Sequence, residues 1–392
     1  MSSEQPSSNA PDIFSLSDRV LAEKLQFVKE IGFGNWGSVW LCRPRVPDSA
    51  DDIKLAVKLV HRSKTTTTAA RVRSLWNEMK VVRTFKNDPH PSIVPFHSFI
   101  ITPSYALITM EYLPELVPVE VPEHRAKEWF RSLLSGVQFL HSRGVVHNDI
   151  KPANILLSER QVPVLVDFGF AEKYDLEGTK AFSSNLTYGT PEYLSPERAR
   201  GLAHDTRKAD LWSLGVTFFE ILVGRTPFEH TEGEQFATKA ALEDYWARTM
   251  RGKWLGSWKM SKGIEKMLHR MIQPNADVRC TAPEALGDSY WDTALPVPKK
   301  AMNSGTPDNT RPRNDTPVLS SRQVSKGKPP KRERVEKRDE DKENAPVTTP
   351  NSKKNPVRQR VLSGSGGKFP FFGRVGESLQ HSFSPRLSEE TP

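Results

Sequence analysis

The chain has 392 residues, enough for two or three average domains and a large buried core. Its formal charge of +9 sits at one end: residues 296–392 hold 20 Lys or Arg against 11 Asp or Glu, while the 295 residues before them hold 36 of each. Two cysteines, Cys42 and Cys280, argue against a disulfide framework, and a polar start without any long apolar run argues against a signal peptide or a spanning helix, so a soluble intracellular protein of nucleus, cytoplasm or both, with no membrane partner, is expected.

Residues 1–24 open on Ser, Pro and Asn with few apolar side chains to offset the entropy of ordering, and a disordered arm is expected there. From Phe27 the pattern changes. FVKEIGFGNWGSVWLCRPR reads as strand, glycine-rich turn and strand, and KLAVKLV reads as a third strand. RVRSLWNEMKVVRTF sets Val72, Leu75, Trp76, Met79 and Val82 on one helical face with Glu78 beside it. ALITMEYL is again strand-like, HRAKEWFRSLLSGVQFLHSRG places Trp129, Leu133, Val137 and Leu140 on one helical face, and helical patterns dominate to Trp291. The expected fold class is α+β: a small β-rich lobe over about 25–110, a larger helical lobe over about 114–291, and a disordered basic tail over 296–392 with no sustained period and no internal repeat.

Gly32, Gly34 and Gly37 in IGFGNWGSV follow the pattern G-x-G-x-x-G-x-V, where missing side chains let backbone amides approach nucleotide phosphates. A dinucleotide fold uses similar glycines, but there a helix opens at the third one. Here SVWLC continues as a strand, which favours a hairpin closing over ATP. Lys58 in LAVK would reach the α- and β-phosphates, and Glu78 is the natural partner to hold it. Taken singly, each has an ordinary alternative, a snorkelling strand lysine and an exposed helical glutamate.

VVHNDIKPANILL followed by VLVDFGFA carries Asp149, Lys151, Asn154 and Asp167 in the order and spacing of a catalytic loop and a magnesium loop. With TYGTPEYLSPE, KADLWSLGV and NADVRCTAPEAL, the stretch of about 25–291 closely resembles the eukaryotic protein kinase family. The resemblance implies the two-lobed kinase fold and transfer of the γ-phosphate of Mg-ATP to protein hydroxyls. That chemistry asks for an oriented nucleophile, offset charge on the phosphoryl oxygens and in-line geometry.

By resemblance, Asp149 accepts the substrate proton, Asn154 and Asp167 hold Mg²⁺, and Lys151 lies near the transferring phosphate. Ile31, Gly32, Gly34, Gly37, Val39 and Lys58 surround ATP, with Met110 as gatekeeper and Glu111 and Leu113 in the hinge. Lys151, and Gly189-Thr190 before Pro191, resemble the serine/threonine branch; tyrosine specificity is the alternative. Glu197 resembles the partner of Arg279 in a buried ion pair, and Asp210 the anchor beneath the catalytic loop. The rival class is a pseudokinase scaffold that recruits partners through its tail and helical lobe. Intact Lys58, Glu78, Asp149, Asn154 and Asp167 weigh against it.

Some positions depart from the family pattern. Asn148 stands where many relatives have Arg, leaving no buried cation there for an activation-segment phosphate to offset, so activity without phosphate on Thr179, Ser183, Ser184 or Thr187 is expected. Pro114, Pro118 and Pro122 replace a short helix with an extended strap. Trp36 takes the place of the commoner Phe at the loop tip. Trp246, Trp254 and Trp258 are read as core packing, with a docking surface for a substrate or regulator as the alternative.

In the tail, the basic run at 328–338 is read as solvated charge, with nuclear import as the alternative. It lacks the aromatic interleaving of a nucleic-acid reader, so sequence-specific nucleic-acid binding is not expected. Thr306, Thr316, Thr349, Ser384 and Thr391 each precede Pro and suit a proline-directed kinase as partner. Modifying all five would change the charge by roughly −7.5 to −10, enough to cancel the tail's excess. Lys342-Glu343-Asn344 matches a short degradation signal, which points to degradation machinery as a partner and to cell-cycle regulation. Phe369, Phe371 and Phe372 form a sticky segment or a docking one.

Overall fold

A computed structural model describes residues 12–293, apart from 35, 36, 46–52, 63, 64, 179, 180 and 232. Trp36, Thr179 and every feature read in the tail lie outside the described residues.

The amino-terminal lobe runs β1 (Ile13–Ser15), α1 (Asp18–Lys24), β2 (Leu25–Gly34), β3 (Gly37–Pro44), β4 (Leu55–His61), α2 (Thr66–Arg83), β5 (Phe96–Ile101) and β6 (Tyr105–Glu111). Its six strands stand in the order β1-β5-β6-β4-β3-β2, antiparallel except for β1 along β5. β4 and β6 lie inside the sheet and are covered on both faces, which explains their nearly unbroken apolar runs. α2 opens with Thr65 accepting from the Thr68 amide at 3.3 Å and buries Leu75, Met79 and Val82, three of the five residues expected on its inner face.

The arm expected over 1–24 is not loose from residue 12 onward. Ile13, Phe14 and Ser15 pair in register with Phe99, Ile100 and Ile101. Ser17 caps α1 by accepting from the Val20 amide at 3.2 Å, and Leu21 and Leu25 are buried with Cys42, Val57, Leu59 and Leu107. The polar composition of the arm as a whole concealed a short apolar segment whose burial comes from a distant strand edge, information that local composition does not carry.

The second lobe runs β7 (Glu115–Leu116), α3 (Glu123–Ser142), β8 (Val145–Val146), β9 (Ile155–Leu157), β10 (Pro163–Leu165), β11 (Glu172–Lys173), β12 (Ser183–Ser184), α4 (Pro196–Ala199), β13 (His204–Asp205), α5 (Thr206–Val223), α6 (Lys239–Arg251), α7 (Lys262–Met271) and α8 (Ala282–Leu286). The proline-rich stretch is an extended strap: β7 pairs with β9, and no helix intervenes before α3. α3 buries Trp129, Leu133, Val137 and Leu140 on the face that periodicity assigned to it. α5 is buried along most of its length; Asp205 caps its start, and Gly224, at φ +85°, ends it in a left-handed turn. Trp254 is buried and meets Phe219 at a centroid distance of 5.1 Å, with Trp258 at 6.1 Å from the same ring, so these two tryptophans are core. Among the described residues, no helix is long and apolar enough to cross a membrane.

Candidate active site

The cleft side of the first lobe is built from β2, β3 and β4. The β2–β3 hairpin pairs Gly32 with Val39 and Gly34 with Gly37. Gly37 lies at φ +135°, and a Cβ there would overlap the Leu59 carbonyl oxygen, so no other residue fits. Ile31 stands on the same hairpin, Met110 lies opposite Ala56 near the end of β6, Glu111 closes that strand, and Leu113 beyond it is buried.

Lys58 projects from β4 into a buried carboxylate pair: its Nζ is 2.6 Å from Oε2 of Glu78 on α2 and 2.7 Å from Oδ1 of Asp167. Burial alone would strip the ammonium of its proton, but the two carboxylates more than offset this and raise its pKa. The same cation overrides burial at Asp167 and holds that carboxyl at about 2. Glu78 is pushed upward, by burial first, with Asp167 opposing Lys58. Its second oxygen, Oε1, is buried with no hydrogen-bond partner among the described residues.

The catalytic loop hangs from Asp210 on α5, whose carboxylate accepts from the amides of His147 at 2.9 Å and Asn148 at 2.8 Å. That grip fixes Asn148 at φ +69°, a conformation asparagine adopts at little cost. Asp149 follows with every oxygen engaged. Oδ1 accepts from the Thr190 amide at 2.9 Å and the Thr190 hydroxyl at 2.6 Å, and Oδ2 accepts from Nδ2 of Asn154 at 3.0 Å and lies 2.9 Å from Nζ of Lys151. Lys151 also donates to the Thr190 hydroxyl at 2.5 Å.

Asn154 spends its amide nitrogen on Asp149, and Asp167 spends Oδ1 on Lys58, so each keeps one oxygen unbonded among the described residues. No cluster of three or more His, Cys, Asp or Glu suits a metal among those residues. A single carboxylate and an amide oxygen nonetheless fit Mg²⁺, a hard cation usually held by one or two protein oxygens with phosphates and water completing the shell.

Residues 25–291 match the family described as "Protein kinase domain". The chain belongs to the protein kinase family. It is similar to "CBL-interacting serine/threonine-protein kinase 2" of Arabidopsis thaliana, 27% identical over 289 residues that cover 72% of this chain and 59% of that protein. It is also similar to "CBL-interacting serine/threonine-protein kinase 7" of Arabidopsis thaliana (28% over 284 residues, 71% and 62%) and "CBL-interacting protein kinase 25" of Oryza sativa subsp. japonica (28% over 276 residues, 67% and 50%). The chain thus spans about half to three fifths of the length of these curated relatives. Two of these three relatives are named as serine/threonine kinases.

Within this kinase domain one expectation is overturned. The neutral Asn148 does not leave the site without a buried cation: Arg198 of α4, 1% exposed, donates from Nη2 to Oδ1 of Asn148 at 2.7 Å and lies over the Tyr188 ring at 4.8 Å. Tyr188 in turn stacks on Phe170, and its hydroxyl lies 3.3 Å from Nδ2 of Asn148. Burial raises the Tyr188 pKa, and so does Glu172 beside it. Charge arrives here from a residue 50 positions away, so the motif around Asn148 did not reveal it.

The structural pair holds as expected. Arg279 grips both oxygens of Glu197, at 2.7 and 2.9 Å, and keeps that carboxyl below its ordinary range although burial opposes this. Residues that sequence reasoning did not place at the site also reach it. Thr190, noted only as a branch marker, binds Asp149 and Lys151 directly. Trp246 donates its indole N–H to the Pro191 carbonyl at 3.1 Å, and the Tyr245 hydroxyl donates to the Glu192 carbonyl at 2.8 Å, so α6 supports the segment that follows Thr190.

Proposed function

We propose that this chain transfers the γ-phosphate of Mg-ATP to Ser or Thr hydroxyls of protein substrates. The observation that carries this reading is the meeting of two side-chain clusters drawn from both lobes, Lys58 with Glu78 and Asp167, and Asp149 with Lys151 and Asn154, joined where the Val166 amide donates to the Asn154 carbonyl at 3.0 Å. Lys58, held by Glu78, presents a fixed positive charge to the nucleotide phosphates. Asp149, oriented by Thr190 and Asn154, accepts the proton of the attacking hydroxyl, and Lys151 stands where negative charge develops on the transferred group. Mg²⁺, held by Asp167 and Asn154, would offset charge on the phosphoryl oxygens.

The test compares phosphate transfer from labelled ATP by the parent, Asp149→Ala and Asp167→Ala. Loss of a positioned base is worth about 10²- to 10⁴-fold, so Asp149→Ala should fall at least that far. A parent that shows a Mg-dependent nucleotide thermal shift but transfers nothing would be a scaffold instead.

The finer reading is a kinase of nucleus or cytoplasm regulated through the cell cycle. It is supported by the five proline-directed sites of the tail and by Lys342-Glu343-Asn344. Replacing those three residues with Ala should abolish any rise and fall of the protein through division. Identical oscillation in parent and variant, or none in either, ends that reading.

A further inference from the structure

The family match begins at residue 25, so β1 and α1 lie before it. They are not idle. β1 is fixed by its backbone at both ends: the Phe99 amide donates to the Asp12 carbonyl at 2.8 Å, and the Leu16 amide donates to the Ile101 carbonyl at 2.9 Å. Asp18 continues the attachment by accepting from the Ser104 amide at 3.3 Å and the Ser104 hydroxyl at 2.7 Å.

At the start of this strap Asp12, 7% exposed, turns its carboxylate to the far end of α2. Oδ2 accepts from Nε of Arg83 at 2.9 Å and lies 3.5 Å from Nζ of Lys86. Burial opposes its ionisation, but the two cations hold the carboxyl below its ordinary range. Arg83 is the last residue of α2, and Glu78 lies on the same helix about 7.5 Å along the axis. Phe85, two residues beyond Arg83, has its ring 6.3 Å from that of Phe168, the neighbour of Asp167. The end of α2 that Asp12 grips therefore leads in one direction to Glu78 and in the other to the metal-binding loop.

We propose that Asp12 is a positioning residue for phosphoryl transfer: through Arg83 and Lys86 it ties the end of α2 to the β5 edge and so keeps Glu78 against Lys58. The proposal rests on the kinase reading of the cleft. A strand in cis holds the helix without a separate binding event.

The test uses the full chain and its Asp12→Asn, Arg83→Ala and Glu78→Gln variants, with the doubles Asp12→Asn/Arg83→Ala and Asp12→Asn/Glu78→Gln. Asp12→Asn should lower kcat/KM for ATP by about three- to tenfold, the scale of one partly buried ion pair, while leaving KM for the protein substrate unchanged. Arg83→Ala should do the same, and the double should be no worse than either single. In the Glu78→Gln background, where the pair with Lys58 is already lost, Asp12→Asn should cost nothing further. Hydrogen exchange should rise along α2 in Asp12→Asn and stay unchanged in α5. Additive losses with Glu78→Gln, or unchanged α2 exchange, overturn the proposal. A parent inactive in transfer overturns the kinase reading instead, and the exchange comparison still decides the clamp.

Discussion

Nη2 of Arg198 donates to Oδ1 of Asn148 at 2.7 Å, one residue before Asp149, while Nδ2 of Asn148 donates to the Phe170 carbonyl at 3.0 Å. An amide serves both contacts because it accepts on one side and donates on the other. An arginine at this position only donates, and it would bring a second guanidinium against a buried first. Asn148→Arg should therefore lower the melting temperature and reduce kcat by about tenfold or more, on the scale of roughly 2–3 kcal/mol for a stranded buried donor. Arg198→Met added to Asn148→Arg should restore part of both. If Asn148→Arg matches the parent in melting and in transfer, the complementarity argued from this contact is wrong.

The same network bears on activation. Arg198, Asn148, Tyr188 and Glu172 already bind the activation segment to the catalytic loop, so no phosphate is needed to bridge them. Protein treated with phosphatase until Thr179, Ser183, Ser184 and Thr187 are bare should keep transfer within about threefold of the untreated sample. Complete loss, reversed by rephosphorylation, would show that the segment needs a charge this network does not supply.

Glu197 links stability to pH with a definite sign. Its carboxyl titrates below the ordinary glutamate value of 4.5 in the folded chain, so the unfolded state binds the proton more readily. The stabilisation is complete above that value and is lost as the pH falls through the folded pKa. Near neutrality, Glu197→Gln strands Arg279 and should cost about 3–5 kcal/mol, a drop in melting temperature on the order of 10 °C. Melting curves of parent and variant should converge below pH 4.5. A gap that persists unchanged into acid would exclude the carboxylate as its source.

How much of this was visible beforehand depends on how far apart the cooperating groups lie. Lys58, Asp149, Asn154 and Asp167 stand in short motifs whose spacing is itself the signal. The inner faces of α2 and α3 follow from the recurrence of apolar residues every three to four positions. Arg198 and Thr190 gave no such signal, because their roles arise from contacts made 50 and 41 positions away. Asp12 was hidden more deeply: it lies in a polar stretch, and what orders it is the edge of β5 and two cations at the end of α2. Periodicity reports burial along one element; it carries no record of which element will supply a partner for a strand edge or a buried charge.

Trp246 separates substrate positioning from nucleotide positioning. Its indole N–H reaches the Pro191 carbonyl at 3.1 Å, and Pro191 follows Thr190, whose hydroxyl and amide bind Asp149. The segment it supports therefore borders the place where an acceptor hydroxyl must sit to lose its proton. Trp246→Phe keeps most of the ring packing but leaves that carbonyl without its donor, a loss of about 1 kcal/mol or about fivefold. The cost should fall on KM for the protein substrate. Lys58 and Glu78 act on the opposite side of the cleft and touch neither α6 nor Pro191, so KM for ATP should hold. Steady-state kinetics with each substrate varied in turn decide the matter: equal rises in both KM values would mean that Trp246 supports the whole lobe, and no change in either would mean that the Pro191 carbonyl finds water as readily as indole.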